Sequence, residues 1–391
     1  MAAQTQNVPV AIDARMLGRE GTGVATYAGA LEEALALSGC APTRIADSSC
    51  GQPMKRAIAP ARWARWIDAM PDRSRALVLR DDRYCARDIF RLAQVHFDRH
   101  GTLLRLRAHG ACGIVHWTYP LPIRIEGWIN IYTVHDAIPI FHPSLSQIDP
   151  VRHRRLLEAL ACTAEHMLTV SEAARLDIIA AIGCFPDAIS ACAPGLDIRP
   201  APAPLPEGLT PGGFLLSVGS VEPRKNLLRL AEAHARSGLD LPLVIAGPDG
   251  WQSDQIAPLL AAAANVVRLP YVDRPTLIAL MAAARALVFP TITEGFGLPI
   301  VEAMQLGTPV LTSRGGATEE VAGGAALLAD PLSVDDIAGQ IARLGDDALV
   351  SRLLEAGLVR GRDFTSAAFA ARIAGVHRRL LDGRGGQNPA S

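Results

Sequence analysis

Lysine is nearly missing from this chain: Lys55 and Lys225 are the only two among 38 basic residues, the rest being arginine. Aromatic residues make up only 5% of the composition. No run of about 18 uncharged apolar residues occurs, which excludes a membrane-spanning helix. No C-x-x-C pair occurs, and this excludes a thiol-based zinc knuckle or redox motif. No Asp-x-Asp pair occurs either, so a carboxylate clamp for a divalent cation on a diphosphate is not supported and no metal site is expected. The formal net charge is −1, too small a field to hold nucleic acid. Seven cysteines (Cys40, Cys50, Cys85, Cys112, Cys162, Cys184, Cys192) are an odd number confined to the first half, and they read as reduced, mostly buried thiols of a cytoplasmic protein. The opening MAAQTQNVPVAID has no charged region leading into an apolar one, so no secretory signal is expected.

What is present is material for a core. Hydrophobic residues are 49% and charged residues 20% of 391, which excludes a disordered chain and a small disulfide scaffold. That length exceeds what one core usually organises, so two domains and a cleft between them are expected. Apolar strand candidates fall in two series, each interrupted by amphipathic helix candidates. The first comprises VPVAID (8–13), ALVLR (76–80), GIVHW (113–117), NIYTVHD (130–136) and HMLTVS (166–171). The second comprises FLLSVGS (214–220), LPLVIAG (241–247), NVVRLPYV (265–272), ALVFPT (286–291), PVLTS (309–313) and AALLAD (325–330). Strands alternating with helices imply βαβ units and parallel sheets. The fold class is therefore α/β, with two doubly wound domains. Residues 1–194 form the first domain, 195–212 a proline- and glycine-rich linker, and 213–365 the second domain. Residues 366–391 supply a last helix expected to pack back on the first domain, then a disordered tail, GRGGQNPAS.

In open parallel sheets ligands bind beyond the carboxyl ends of the strands, which singles out four segments. Gly21 and Gly23 lie at the mouth of a helix, where exposed N–H groups favour an anion or simply make a tight turn. TVHD ends a strand and is followed by two prolines, placing His135 and Asp136 at the cleft rim as a structural hydrogen bond or a catalytic couple. SVEPRKN places Gly219, Glu222, Arg224 and Lys225 after a strand and before a helix. Cations are disfavoured at that position, so something negative should compensate them: a diphosphate, or a salt bridge to Glu222. Most specific is TEGFGLPIVEAM. Glu294, Gly295, Phe296 and Gly297 form a loop, Leu298 and Pro299 open a helix, and Glu302 follows eight residues after Glu294. Backbone N–H groups around Gly297, Leu298 and Ile300 are expected to face a phosphate. The two carboxylates, about 10 Å apart by helix rise, are spaced to hold hydroxyls at two ends of one ligand.

With E-x7-E within EGFGLPIVEA, SVEPRKN, TVHD, TVSEAARLDI (169–178) and GGATEEVAGGAALLADP (315–331), the chain resembles the retaining glycosyltransferases of family 4 over nearly its whole length. The resemblance implies the GT-B architecture of two Rossmann-like domains facing a central cleft. It implies that Glu294 binds the donor sugar and Glu302 the ribose hydroxyls. Arg224 and Lys225 would neutralise the donor diphosphate and the leaving nucleoside diphosphate. His135 would stand near the reacting face of the sugar. The family's Gly-x-Gly-Arg-Tyr loop is altered here, Val24 and Ala25 following Gly23, so no role for that arginine carries over. Glu319 replaces a usual proline and receives no role.

The expected reaction is transfer of a hexose from a nucleotide-sugar to a saccharide or lipid-diphosphate-linked acceptor, independent of metal and of any other cofactor. Tyr271 and Val272 are placed beside the nucleobase. The segment HWTYPLPIRIEGWINIYTVHDAIP resembles bacterial O-antigen and exopolysaccharide transferases, favouring mannose from GDP-mannose in surface polysaccharide biosynthesis, with UDP- or dTDP-sugars as alternatives. Residues 44–107 hold thirteen arginines and Lys55 against seven aspartates. This basic stretch would rest on anionic lipid at the inner face of the plasma membrane, or is a solvated helical face. Two other classes stand beside this reading. One is a GT-B epimerase or phosphorylase, the latter disfavoured by the scarcity of lysine. The other is a non-catalytic nucleotide-sugar-binding module.

Overall fold

The computed structural model describes residues 8–19, 21–47 and 74–385. The end of the tail from residue 386, and the core of the basic stretch with Lys55 and Cys50, lie outside the described residues.

The first half carries β1 (Val10–Asp13), β2 (Thr43–Asp47), β3 (Arg75–Ala76), β4 (Val78–Arg80), β5 (Arg83–Ala86), β6 (Leu104–Arg107), β7 (Ile114–Trp117), β8 (Ile123–Ile125), β9 (Ile129–Val134), β10 (His166–Thr169) and β11 (Ile189–Ala191). Eight of these make one sheet in the order β11-β10-β9-β7-β1-β2-β5-β4, and β3, β6 and β8 make a small second one. All pairings are parallel except β4 with β5. The strands β1, β7, β9 and β10 are buried at every position, as expected of strands covered by helices on both faces.

Two differences from the sequence reading have simple causes. The stretch 76–80 is no central strand: it divides between β3 and β4, and Val78–Arg80 is an exposed edge. It turns back onto β5 through Asp81 and Asp82, both at positive φ, the backbone a two-residue hairpin requires. In its place β2 lies beside β1. Its sequence, TRIAD, buries only Ile45 and so lacks the apolar run that marked the others.

The second half is a single parallel sheet of β12 (Leu215–Val218), β13 (Leu243–Ala246), β14 (Val266–Leu269), β15 (Ala286–Phe289), β16 (Val310–Ser313) and β17 (Leu327–Ala329), ordered β14-β13-β12-β15-β16-β17. The order reverses between β12 and β15, and in the first sheet between β1 and β7. A ligand crevice opens at such reversals.

No helix or strand intervenes between Ala191 and Leu215. This connection is held down by Gln305, whose side-chain N–H donates to Leu196 O (2.7 Å) and whose Oε1 accepts from Ile198 N (2.9 Å). The last helix, Ser366–Gly385, lies along the helix Gly23–Leu37, with the Tyr27 and Phe369 rings 5.9 Å apart. It is tied to β7 by a buried contact of 2.7 Å between the Nε2 atoms of His116 and His377. It runs through Gly383–Gly385, so the stretch read as a disordered tail begins in helix. The cysteines also differ from expectation. Among those described only Cys192 is buried, with its thiol pushed up to about 12 by burial, whereas Cys112 and Cys162 are exposed. Their positions on loop and helix surfaces explain this. No described helix is long and apolar enough to cross a membrane.

Candidate active site

The second sheet brings its chemistry together at its reversal point. Beyond β12, Gly219 has φ +139°, and a Cβ there would stand 3.0 Å from Lys225 Cε, so only glycine lets the lysine lie over the strand end. The turn Pro223–Lys225 follows. Asn226, in the left-handed region, donates from Nδ2 to the carbonyls of Pro290 (2.8 Å) and Pro331 (2.7 Å), fastening this turn to the end of β15. The anion that the cations require is supplied from within. Arg224 pairs with Glu222 (2.6 Å) and with Glu294, and Lys225 Nζ meets Glu294 Oε1 at 2.7 Å. Lys225 also lies 4.8 Å from the centre of the Phe289 ring. Burial would raise the Glu294 carboxyl, but Arg224 and Lys225 hold it below the usual carboxylate range. Burial lowers the Lys225 ammonium, and Glu294 offsets this only in part. The cations are therefore fixed in place, and the carboxylate they share is the glutamate expected to meet the donor sugar.

The loop after β15 leads into the helix Leu298–Gln305. Gly297, at φ +101°, occupies its N-cap without a capping side chain. The N–H of Leu298 has no hydrogen-bond partner among the described residues. That of Ile300 donates to Gly297 O (2.9 Å), and Pro299 has no N–H. The Phe296 side chain takes no part in the crevice. Its ring is buried and packs edge-on against Phe364, 5.6 Å between centres, because the loop turns it away from the crevice. Glu302 is buried rather than solvated and pairs with Arg274 Nη2 at 2.6 Å. Arg274 was not singled out from the sequence; it opens the helix Arg274–Ala283, directly after Tyr271 and Val272. Tyr271 is 74% exposed, and Val272 is half-buried against the core.

On the facing side His135 follows β9. Its Nε2 lies 2.8 Å from Thr118 O. A carbonyl only accepts, so Nε2 carries the proton and Nδ1 is the acceptor. Burial pushes the imidazole down to about 4, and it is neutral at physiological pH. Tyr27 meets the ring edge-on at 4.9 Å. Asp136 accepts from Ile138 N (3.0 Å); burial raises its carboxyl, with the Arg224 charge acting against it. The same Thr118 peptide region that receives His135 is held by Asp13, fully buried at the end of β1, which accepts from Thr118 N at 2.5 Å. Burial pushes Asp13 up to about 6.

The two halves meet across this crevice. A Cβ on Gly295 would lie 2.5 Å from His135 O and 3.2 Å from Asp136 Cβ, so a glycine is required for the TVHD and EGFG segments to touch. Ser171 Oγ donates to Gly295 O at 2.7 Å. Glu320 accepts from the N–H groups of Glu172 (2.8 Å) and Ala173 (2.7 Å), capping from the second half a helix of the first. Gly23 faces Leu298, its Cβ position 3.8 Å from Leu298 Cδ1, while Gly21 has no neighbour there. The structure thus gathers His135, Arg224, Lys225, Glu294 and Gly295 at one crevice, with Gly23, Gly219, Glu222, Gly297 and Leu298 around it. It places Glu302, Tyr271 and Val272 at the Arg274 side and Gly21 on the open rim. Among the described residues no group of histidine, cysteine and carboxylate side chains is arranged to hold a metal ion.

The family model described as "Glycosyl transferases group 1" matches residues 209–356. The chain is 34% identical over 267 residues to O-antigen chain mannosyltransferase B of Escherichia coli, covering 63% of this chain and 68% of that one. It is 26% identical over 274 residues to the serotype-specific mannosyltransferase WbdA of Escherichia coli, and there it spans only 33% of the relative's length. Sucrose-phosphate synthase from Thermosynechococcus elongatus superposes with a TM-score of 0.69 over 96% of this chain and 100% of that chain, at 20% identity. Its likeness is one of fold, the two-domain GT-B arrangement.

Proposed function

The chain belongs to the glycosyl transferases group 1 family, and on that premise we propose that it moves mannose from GDP-mannose, with retention of configuration, to a growing bacterial surface polysaccharide. The observation that carries this reading is the buried cluster of Arg224, Lys225 and Glu294 at the reversal of the second sheet, directly opposite His135. Similarity to mannosyltransferases of O-antigen assembly supports the sugar.

In this reading the donor diphosphate displaces Glu294 from the two cations. Arg224 and Lys225 then neutralise the leaving nucleoside diphosphate, doing electrostatically what a divalent ion does elsewhere. The freed Glu294 carboxylate accepts hydroxyls of the sugar, and Glu302, with Arg274, holds those of the ribose. Neutral His135, with Nδ1 as acceptor, lies against the sugar face. The acceptor hydroxyl, from a saccharide or a lipid-diphosphate-linked saccharide, attacks on the face the diphosphate leaves, and the departing phosphate takes its proton. Contact of TVHD with EGFG closes the crevice and excludes water that would hydrolyse the donor. The enzyme works without metal, in the cytoplasm, at the inner face of the plasma membrane.

Thermal stabilisation by GDP, UDP, dTDP and ADP, each with and without EDTA, tests the donor. A shift with GDP alone that survives EDTA, together with transfer from GDP-mannose lost in Glu294→Ala, supports the proposal. A shift with UDP or dTDP alone overturns the donor, and nucleotide binding without transfer to any mannosyl acceptor favours a binding module.

A further inference from the structure

The two halves together line a cavity of about 440 Å³ that is partly open to solvent. Its walls come from both: Ala193 after β11, Ala368 and Arg372 of the last helix, Glu320 and Val321, the turn Arg362–Phe364 with Arg360 before it, and the ring of Phe296. The volume is within the range of small-molecule sites, and the lining divides into an apolar side and a cluster of three guanidinium groups.

The charges of that cluster are not balanced. Arg360 is neutralised by Asp363 (2.8 Å) and donates its other N–H groups to the carbonyls of Val321 and Glu320. The Glu320 carboxylate is already occupied by the N–H groups of Glu172 and Ala173. Arg372 has no carboxylate partner: Nε and Nη1 donate only to the carbonyls of Ala193 (3.0 Å) and Asp363 (3.1 Å), and Nη2 is buried without an acceptor. Arg362 is exposed on the cavity wall and has no hydrogen bond or ion pair among the described residues. Three guanidinium groups against the carboxylates of Asp363 and Glu320 leave the cavity wall with a net positive charge, and one Arg372 N–H is buried without an acceptor. A buried donor left unsatisfied is costly. An anion supplied from outside satisfies that N–H, and the planar forks of Arg362 and Arg372 on one wall suit the several acceptor oxygens of a phosphate monoester.

We propose that this cavity is a second ligand site, separate from the donor crevice, that takes a small molecule bearing a phosphate monoester, with Arg362 and Arg372 holding the phosphate and Phe296, Phe364 and Val321 covering its carbon skeleton.

Calorimetric titration of the full chain in phosphate-free buffer tests this, with orthophosphate, mannose 6-phosphate, mannose and succinate as probes. The expected result is saturable binding of mannose 6-phosphate and weaker binding of orthophosphate, with none of mannose or succinate. Arg362→Gln, an exposed change with no partner to lose, weakens both phosphates at least tenfold, while Arg224→Gln in the donor crevice leaves them unchanged. Transfer by Arg362→Gln in the absence of added phosphate equals that of the parent. Orthophosphate binding as tight as mannose 6-phosphate identifies the free ion as the ligand and overturns the metabolite. Absence of phosphate binding, wild-type affinity in Arg362→Gln, or loss in Arg224→Gln instead, refutes the site. None of these outcomes depends on which nucleotide the crevice prefers.

Discussion

Replacing Glu294 by glutamine removes the one carboxylate shared by Arg224 and Lys225 while keeping its shape. Arg224 retains Glu222 at 2.6 Å, but Lys225 loses its one ion-pair partner among the described residues. The side chains of Lys225 and Glu294 are each 11% exposed, so solvent cannot replace the lost charge. Breaking a buried pair costs about 3–5 kcal/mol. With Arg224 still paired and an amide oxygen still facing Lys225, the lower end, about 3 kcal/mol, is expected. The pH dependence identifies the cause. Burial already lowers the Lys225 ammonium, and without Glu294 it falls further below its unfolded value. The unfolded chain then binds more protons than the folded one, so stability rises with pH through the folded pKa and reaches its full value above the ordinary lysine range. The deficit of Glu294→Gln should therefore shrink from pH 7 upward. Urea unfolding followed by circular dichroism at several pH values measures it. A nucleoside diphosphate should recover more stability in the variant than in the parent, because it brings the missing negative charge. A variant as stable as the parent at pH 7, or a deficit that widens as pH rises, would refute the reasoning.

Gly295→Ala drives a methyl towards His135 O at 2.5 Å; overpacking of this kind costs about 1–3 kcal/mol, and it should hold the halves apart. Transfer should fall at least tenfold with circular dichroism unchanged. Lowering the pH from 6.5 to 4 should destabilise the fold: burial holds His377 at about 4, as it does His135 and His166. For His377 alone the loss approaches about 3 kcal/mol. Asp13, raised to about 6, acts with the opposite sign, so His377→Phe should flatten the acid limb of a stability–pH curve and Asp13→Asn steepen it. Glu320→Gln removes a charge from the N-terminus of the helix Glu172–Ile182, worth about 1 kcal/mol, and should raise KM for the donor more than it lowers the melting temperature.

The parallel sheets were legible in the sequence because strands buried on both faces must be apolar throughout, as β9 and β13 are. The strand β2 was not, since one buried isoleucine among polar neighbours carries no periodic signal. At the site, Arg224 and Lys225 stood out because cations are disfavoured at a helix start unless paired, and Glu294 because of its eight-residue spacing to Glu302. Their pairing with one another could not be read, as it joins residues 69 apart in the chain. Asp13, Arg274 and Glu320 escaped notice for the same reason: each acquires meaning only through a partner 105, 28 or 148 positions away. Phe296 shows the converse. Its place in the motif suggested the crevice, whereas the loop's direction sends its ring to Phe364.

The helix Ser366–Gly385 completes a layer begun by Gly23–Leu37. During synthesis, therefore, the first half has an uncovered flank until residues 366–385 have left the ribosome. Tyr27 and β7 wait for Phe369 and His377. Completion of the first half thus waits on a helix that follows the second half in the chain. A shortened form ending after residue 365 would be expected to expose the apolar stripe of Gly23–Leu37 and to be recognised by the cell as unfinished.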